Sequence, residues 1–171
     1  MAHSFKDYLN VIIVILIATA VAYACGHHGL YFNKWPIIFI CMCTSFIVHW
    51  IAFIPSYLAR TEKYYDISGT LAYLCVLFMA YYLTISLSDG ILNVRSALVI
   101  TLVAIWALRL GFFLFIRVLK AGEDRRFREV KEKFSGFLVW WTISALWVFL
   151  TTVNALAVSY THLTLPTIMP V

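Results

Sequence analysis

The chain has 171 residues, of which 63% are hydrophobic and only 12% are charged. Soluble domains are typically about 45–50% apolar and about 25% charged, so this composition excludes an ordinary water-soluble domain. The formal net charge is +5, and six of the 13 lysine and arginine residues lie in one segment, residues 120–133. A basic segment beside long apolar blocks indicates membrane orientation and attraction to anionic headgroups before it indicates nucleic-acid binding.

Five apolar stretches are long enough to cross a bilayer, whose ~30 Å hydrocarbon core requires about 20 residues in helical form. Pro36 opens the second stretch and suits a first helical turn, and Pro55 is expected to bend or end that helix. The sequence therefore predicts an all-α, polytopic transmembrane helix bundle that forms one domain over residues 1–157. The predicted spans are residues 8–25, 36–58, 67–88, 96–119 and 137–157.

The lysine and arginine residues fall mostly on one side of this predicted bundle. With five spans, the amino terminus shares a side with the loop between spans two and three and the loop between spans four and five. The positive-inside rule places that side, including the loop from Lys120 to Lys133, in the cytoplasm. The sequence thus predicts an integral protein of a bacterial inner membrane. That side holds Lys6, Arg60, Lys63, Lys120, Arg125, Arg126, Arg128, Lys131 and Lys133, and the other side holds Lys34 and Arg95.

The last residues differ abruptly in character from the rest of the chain. The string V-S-Y-T-H-L, which begins at Val158, matches a translated sequencing-library end. Residues 158–171 are therefore interpreted as a non-native tail and excluded from fold reasoning. The natural protein is expected to continue differently beyond Ala157. The alternative is a short genuine tail outside the membrane.

Metal binding is not favoured by the four cysteines, all of which lie in or beside apolar stretches. Cys25 lies next to two histidines, and Cys41 and Cys43 flank a methionine, but neither group has nearby carboxylates. A C-x-C arrangement in a helix also points its two thiols to different faces. We therefore interpret the cysteines as small buried hydrophobic residues and expect no metal site.

Arg109 is an ionisable residue inside the fourth predicted span. A central arginine costs ~2.5–3.5 kcal/mol on insertion scales, so such a residue is a functional-site hypothesis by default. The alternative is a structural ion pair with a carboxylate on a neighbouring span, for which Asp66 is a candidate. Arg117 lies nearer the end of the span, where snorkelling alone would explain it.

The loop that begins at Lys120 reads K-A-G-E-D-R-R-F-R and is dense in hydrogen-bond donors. Arginines are suited to bidentate phosphate binding, and Gly122 with the adjacent acids favours a shaped turn. Attraction to anionic lipid is the competing explanation. His49, alone within the second span, is interpreted as a histidine that is hydrogen-bonded in packing. No Gly-rich dinucleotide fingerprint, P-loop or H-E-x-x-H motif occurs, which excludes a soluble-type nucleotide domain.

An ordered series of motifs runs through residues 62–156. It comprises K-Y-Y-D-I-S-G-T-L-A-Y-L from Lys63, then Arg95, then W-A-L-R-L-G from Trp106 with Arg117, and finally G-E-D-R-R-F from Gly122. This series resembles the DUF1295 family, which belongs to the steroid 5-alpha-reductase-like membrane proteins.

The resemblance implies a membrane oxidoreductase that uses NADPH to reduce a carbon–carbon double bond in a lipid- or steroid-like substrate. It assigns no catalytic residue. Family members also carry an R-H-P-N-Y-F-G-E-like motif that does not occur here, so residues 1–157 alone are expected to bind NADPH weakly or not at all. By the resemblance, the cofactor-binding residues are Arg109, Arg117, Asp124, Arg125 and Arg126, with arginines on phosphates and the carboxylate orienting them or accepting from a ribose hydroxyl.

Two other functions remain open at the level of sequence. One is a membrane methyltransferase related to the isoprenylcysteine carboxyl methyltransferases, which share the distant superfamily and bind a different nucleotide-like cofactor. The other is a non-catalytic membrane protein whose arginines only set topology and helix pairing. Binding of NADPH or of S-adenosylmethionine would separate these hypotheses.

Overall fold

A computed structural model describes residues 2–27, 29–87, 94–121, 127–128 and 130–160 of the chain. Helices account for nearly all of these residues, so the predicted all-α class is confirmed. An antiparallel hairpin with two residues in each strand joins the first two helices. The elements are α1 Ala2–Gly26, β1 Tyr31–Phe32, β2 Trp35–Pro36, α2 Ile37–Leu58, α3 Tyr65–Leu87, α4 Val94–Ala121 and α5 Phe134–Tyr160.

Each of these five helices is long and apolar enough to cross a membrane. The helices extend beyond most of the predicted spans, because hydropathy marks only the segment inside the hydrocarbon core. The prediction that Pro36 occupies the first helical turn is wrong. Its ψ of 136° is extended, Tyr31 is its partner in the hairpin, and α2 begins one residue later. Pro55 lies in the last turn of α2, which ends at Leu58 as expected.

Helix α5 packs against each of the other four helices. Small residues lie at its contact with α1, where Ala18, Ala22 and Ala145 are fully buried. In a bilayer, water does not drive helices together, so close packing of small residues supplies much of the association. The bundle is therefore organised around α5. This helix comes last in the described chain but lies at the centre of the bundle.

One end of the bundle carries the predicted basic side, and we call it the basic end. There α2 ends, α3 begins, α4 ends and α5 begins. Ser135 Oγ donates a hydrogen bond to Asp7 Oδ2 at 2.7 Å, which ties the start of α1 to the start of α5. Lys131 Nζ lies 3.1 Å from Glu62 Oε2 and joins the two inter-helix connections. The grouping of these segments at one end is confirmed.

An aromatic cluster fills the interior beside the basic end. It consists of Phe53, Tyr65, Phe127, Phe137 and Trp141. The Tyr65 and Phe127 ring centroids are 4.7 Å apart, and Phe127 is only 1% exposed. Phe127 is therefore anchored in the core of the bundle.

Candidate functional site

A cavity of about 370 Å³ lies between α3, α4 and α5. Its volume falls in the ~300–1,000 Å³ range of small-molecule sites. The wall is mainly apolar and aromatic, with a few polar groups at defined positions. It is formed by Tyr65, Asp66, Gly69, Thr70, Tyr73, Ala107, Leu110, Gly111, Leu114, Trp140, Ile143, Ser144, Trp147 and Val148.

Asp66 and Arg117 form a charged pair where the cavity approaches the basic end. The Arg117 Nη2 to Asp66 Oδ2 distance is 3.9 Å, and the two side chains are 50% and 12% exposed, respectively. Asp66 belongs to the first turn of α3, where a carboxylate also interacts favourably with the helix dipole. The long contact and the half-exposed guanidinium leave Arg117 able to bind a further anionic group.

Two glycines give the cavity its shape. A Cβ atom at Gly111 would lie 2.7 Å from Thr70 Cβ and 2.8 Å from Thr70 Cγ2, whereas a Cβ atom at Gly69 would have no neighbour within 4 Å. Gly111 therefore allows α3 and α4 to touch at Thr70. Gly69 instead leaves open space in the cavity wall.

The polar inner wall is connected to a buried histidine on α2. His49 is fully buried, with Nδ1 2.8 Å from the Ser45 carbonyl oxygen and Nε2 3.0 Å from Ser144 Oγ. The interpretation of His49 as a histidine hydrogen-bonded in packing is confirmed. Ser144 itself lines the cavity, so this packing contact reaches the candidate site.

Arg109 lies on the outer side of α4, away from the cavity. Ala107, Gly111 and Val118 form the buried stripe of this helix, and a residue two positions after Ala107 points about 200° away from it. Arg109 is exposed and lines a second hollow of about 290 Å³ with Trp106, Leu110 and Phe113. Leu110 borders both hollows.

The structure describes two of the five predicted cofactor residues, and it places them apart. Arg117 lies beside Asp66, whereas Arg109 lies roughly 12 Å further along α4 by helix geometry and forms no ion pair within the described residues. Pairing of Arg109 with Asp66 is therefore not observed, because Arg117 occupies that position. The predicted residues Asp124, Arg125 and Arg126 lie outside the described residues. Binding of a cofactor by any of the five stays a prediction.

The fold and the cavity define a multi-span α-helical membrane protein with a ligand-sized space inside its bundle. A family model described as "Protein of unknown function (DUF1295)" matches residues 52–168. The match covers more than half of the chain, so the chain belongs to the DUF1295 family, as the motif series indicated. No curated protein and no solved structure matches the chain.

Several residues of the cavity were not singled out by the sequence. Ser144 is an ordinary polar residue in an apolar helix, and nothing in its spacing distinguishes it from lipid-facing neighbours. Thr70 and Gly69 fall within the family motif, but the motif does not reveal which of its residues line a cavity. A polar residue within an otherwise apolar span is the one signal that could have drawn attention to Ser144.

Proposed function

We propose that this chain forms part of a membrane-embedded, NADPH-dependent oxidoreductase that reduces a carbon–carbon double bond of a lipid- or steroid-like substrate. The observation that carries the proposal is the apolar cavity between α3, α4 and α5, which ends at a charged pair. Lipid-like substrates partition into the bilayer, and a cavity between helices can receive them without passage through water. The resemblance of the motif series to steroid 5-alpha-reductase-like membrane proteins supports the same proposal.

The substrate would lie along the apolar wall of the cavity. Trp140, Trp147 and Leu114 provide broad apolar surfaces, and aromatic walls bury large areas of an apolar ligand. The polar groups are Asp66, a few hydroxyls and the indole N–H groups of Trp140 and Trp147, which is the usual composition of a site that binds an apolar molecule and orients it through few contacts.

The charged residues of α4 fit the phosphates of a dinucleotide. Guanidinium groups bind phosphate through two parallel hydrogen bonds, and Arg109 and Arg117 both present exposed guanidiniums on one helix. NADPH would supply a hydride, which together with a proton saturates the double bond. Arg117 would hold a phosphate at the basic end, with Asp66 orienting its guanidinium, and Arg109 would meet negative charge at membrane depth.

Cofactor binding tests the proposal directly. NADPH is titrated into the purified chain in lipid nanodiscs, and binding is read from energy transfer between tryptophan and the reduced nicotinamide. Trp106 lines the hollow beside Arg109 and is therefore well placed as a donor. We expect weak but saturable binding that Arg109→Ala and Arg117→Ala each weaken at least about tenfold, the effect of losing a charge-assisted hydrogen bond.

Arg95→Ala is the matched control, because Arg95 belongs to the same helix but lies at its opposite end. This variant should bind NADPH as the unmodified chain does. Unchanged binding in Arg109→Ala would contradict the assignment of that residue. Binding of S-adenosylmethionine in place of NADPH would favour a methyltransferase.

A further inference from the structure

We infer that the cavity recognises the hydroxyl group of an apolar, lipid-like alcohol through acceptor oxygens on its inner wall, chiefly that of Ser144. This inference uses the same cavity as the proposed function and specifies the class of molecule that the cavity takes. It depends on which atoms of the protein accept the hydroxyl hydrogens of the cavity wall.

The His49 tautomer fixes the direction of the hydrogen bond to Ser144. A carbonyl oxygen only accepts, so the 2.8 Å contact with the Ser45 carbonyl requires the hydrogen on His49 Nδ1. In the uncharged imidazole, Nε2 is then an acceptor. Ser144 Oγ, at 3.0 Å from Nε2, must therefore donate its hydrogen to His49. The lone pairs of Ser144 Oγ stay available on the side of the cavity.

Ser144 differs in this respect from three threonines of α5. Thr142, Thr151 and Thr152 each donate to a carbonyl one turn earlier in their own helix, which is the ordinary arrangement in an apolar span. Ser144 donates across to α2 instead. His49 is thus a positioning residue that holds the serine hydroxyl in a fixed orientation.

Tyr73 follows the same pattern one helix away. Its hydroxyl oxygen lies 2.6 Å from Thr151 Oγ1, and that threonine already donates to the Trp147 carbonyl at 2.9 Å. With the threonine hydrogen on that carbonyl, Tyr73 supplies the hydrogen of the shared bond. Its phenolic oxygen retains acceptor capacity at the cavity wall.

The two remaining hydroxyls of the wall also donate to the protein. Tyr65 donates to the Trp140 carbonyl at 3.1 Å, and Thr70 donates to the Asp66 carbonyl at 3.3 Å. All four hydroxyl side chains that line the cavity thus direct their hydrogens into the protein. The Ser144 oxygen is therefore an acceptor at the cavity wall, and a ligand donor such as an alcohol hydroxyl matches it.

Farnesol is a suitable probe, because it combines an apolar chain with one hydroxyl group. The chain in nanodiscs is photolabelled with a diazirine analogue of farnesol, and labelled peptides are identified by mass spectrometry. Unlabelled farnesol, farnesyl methyl ether and farnesal then compete for the site. The ether and the aldehyde keep an acceptor oxygen but have no hydroxyl hydrogen. We expect farnesol to compete about three- to tenfold better than either, as one hydrogen bond provides.

Variants of the chain separate recognition by the protein from partitioning of the probes into the lipid, because each probe partitions equally in the presence of every variant. Ser144→Ala and the near-isosteric Ser144→Cys should each remove the preference for farnesol, provided that thermal unfolding shows the variant folded. Thr101→Ala is the control, because the Thr101 hydroxyl bonds only the Ala97 carbonyl on exposed α4. Gly69→Leu should fill the cavity and abolish labelling of its walls.

Three results would overturn the inference. They are an unchanged alcohol preference in both Ser144 variants, stronger competition by farnesal than by farnesol, and persistent labelling of the cavity peptides in Gly69→Leu. Loss of NADPH binding with the Ser144-dependent preference retained would contradict only the proposed function. Loss of that preference with NADPH binding retained would contradict only this inference.

Discussion

The contact between Gly111 and Thr70 allows a quantitative test of the fold around the cavity. An alanine Cβ at Gly111 would overlap Thr70 Oγ1 and lie 2.7 Å from Thr70 Cβ, whereas carbon atoms in contact are normally about 3.5–4.0 Å apart. Helices α3 and α4 must therefore separate by roughly 1 Å, or Thr70 must leave its place. Overpacking of this kind typically costs about 1–3 kcal/mol.

Gly69→Ala is the matched control for Gly111→Ala. Both glycines are helical and line the same cavity, so both substitutions gain about 0.5–1 kcal/mol of helix propensity. Only Gly111→Ala meets a neighbour, since a Cβ atom at Gly69 would have none within 4 Å. We expect Gly111→Ala to be about 1–3 kcal/mol less stable than Gly69→Ala.

Thermal unfolding in detergent, followed by tryptophan emission, measures the difference. Combining Gly111→Ala with Thr70→Gly returns the missing space on the opposite helix. The double variant should therefore be more stable than the sum of the two single effects predicts. Equal midpoints for Gly111→Ala and Gly69→Ala, with no coupling to Thr70, would refute the close approach of α3 and α4.

Two further predictions concern the ends of the bundle. Glu62 is 4% exposed and pairs with Lys131 at 3.1 Å. Glu62→Ala should therefore destabilise the protein by about 3 kcal/mol. A double-mutant cycle with Lys131→Ala should give a coupling free energy above ~0.5 kcal/mol. Strict additivity would show that the pair contributes nothing. In intact bacteria, a membrane-impermeant maleimide should label the exposed Cys25. In the Lys63→Cys variant it should reach the new thiol only after permeabilisation, because the basic end is expected to face the cytoplasm. The opposite labelling pattern would reverse the topology.

The number and type of the helices could be predicted from the sequence because hydrocarbon imposes a simple rule. Each span needs about 20 apolar residues with all backbone groups paired internally, and that pattern is visible without knowledge of neighbours. Pro36 shows where the rule fails. Its ring suits a helix start, but pairing of Trp35 and Pro36 with β1 holds it in a hairpin, a tertiary contact that local preference does not contain.

The candidate site was only partly predictable for a related reason. Arg109, Arg117 and Asp66 stand out because charge is costly in lipid, but sequence spacing does not tell which arginine meets the carboxylate. That choice depends on the rotation and the relative height of α3 and α4, which Gly111 and Thr70 set by contact. Ser144 gains its role from His49, which is 95 residues away in the chain.

The central position of α5 has a consequence for biogenesis. This helix leaves the ribosome after the other four, yet Ser45 on α2 donates to the Ala145 carbonyl and His49 bonds Ser144. Until α5 is inserted, these groups of α2 lack their partners in the bilayer. The nascent chain therefore passes through a stage at which these two α2 side chains have no partner on α5, and insertion of α5 supplies their partners.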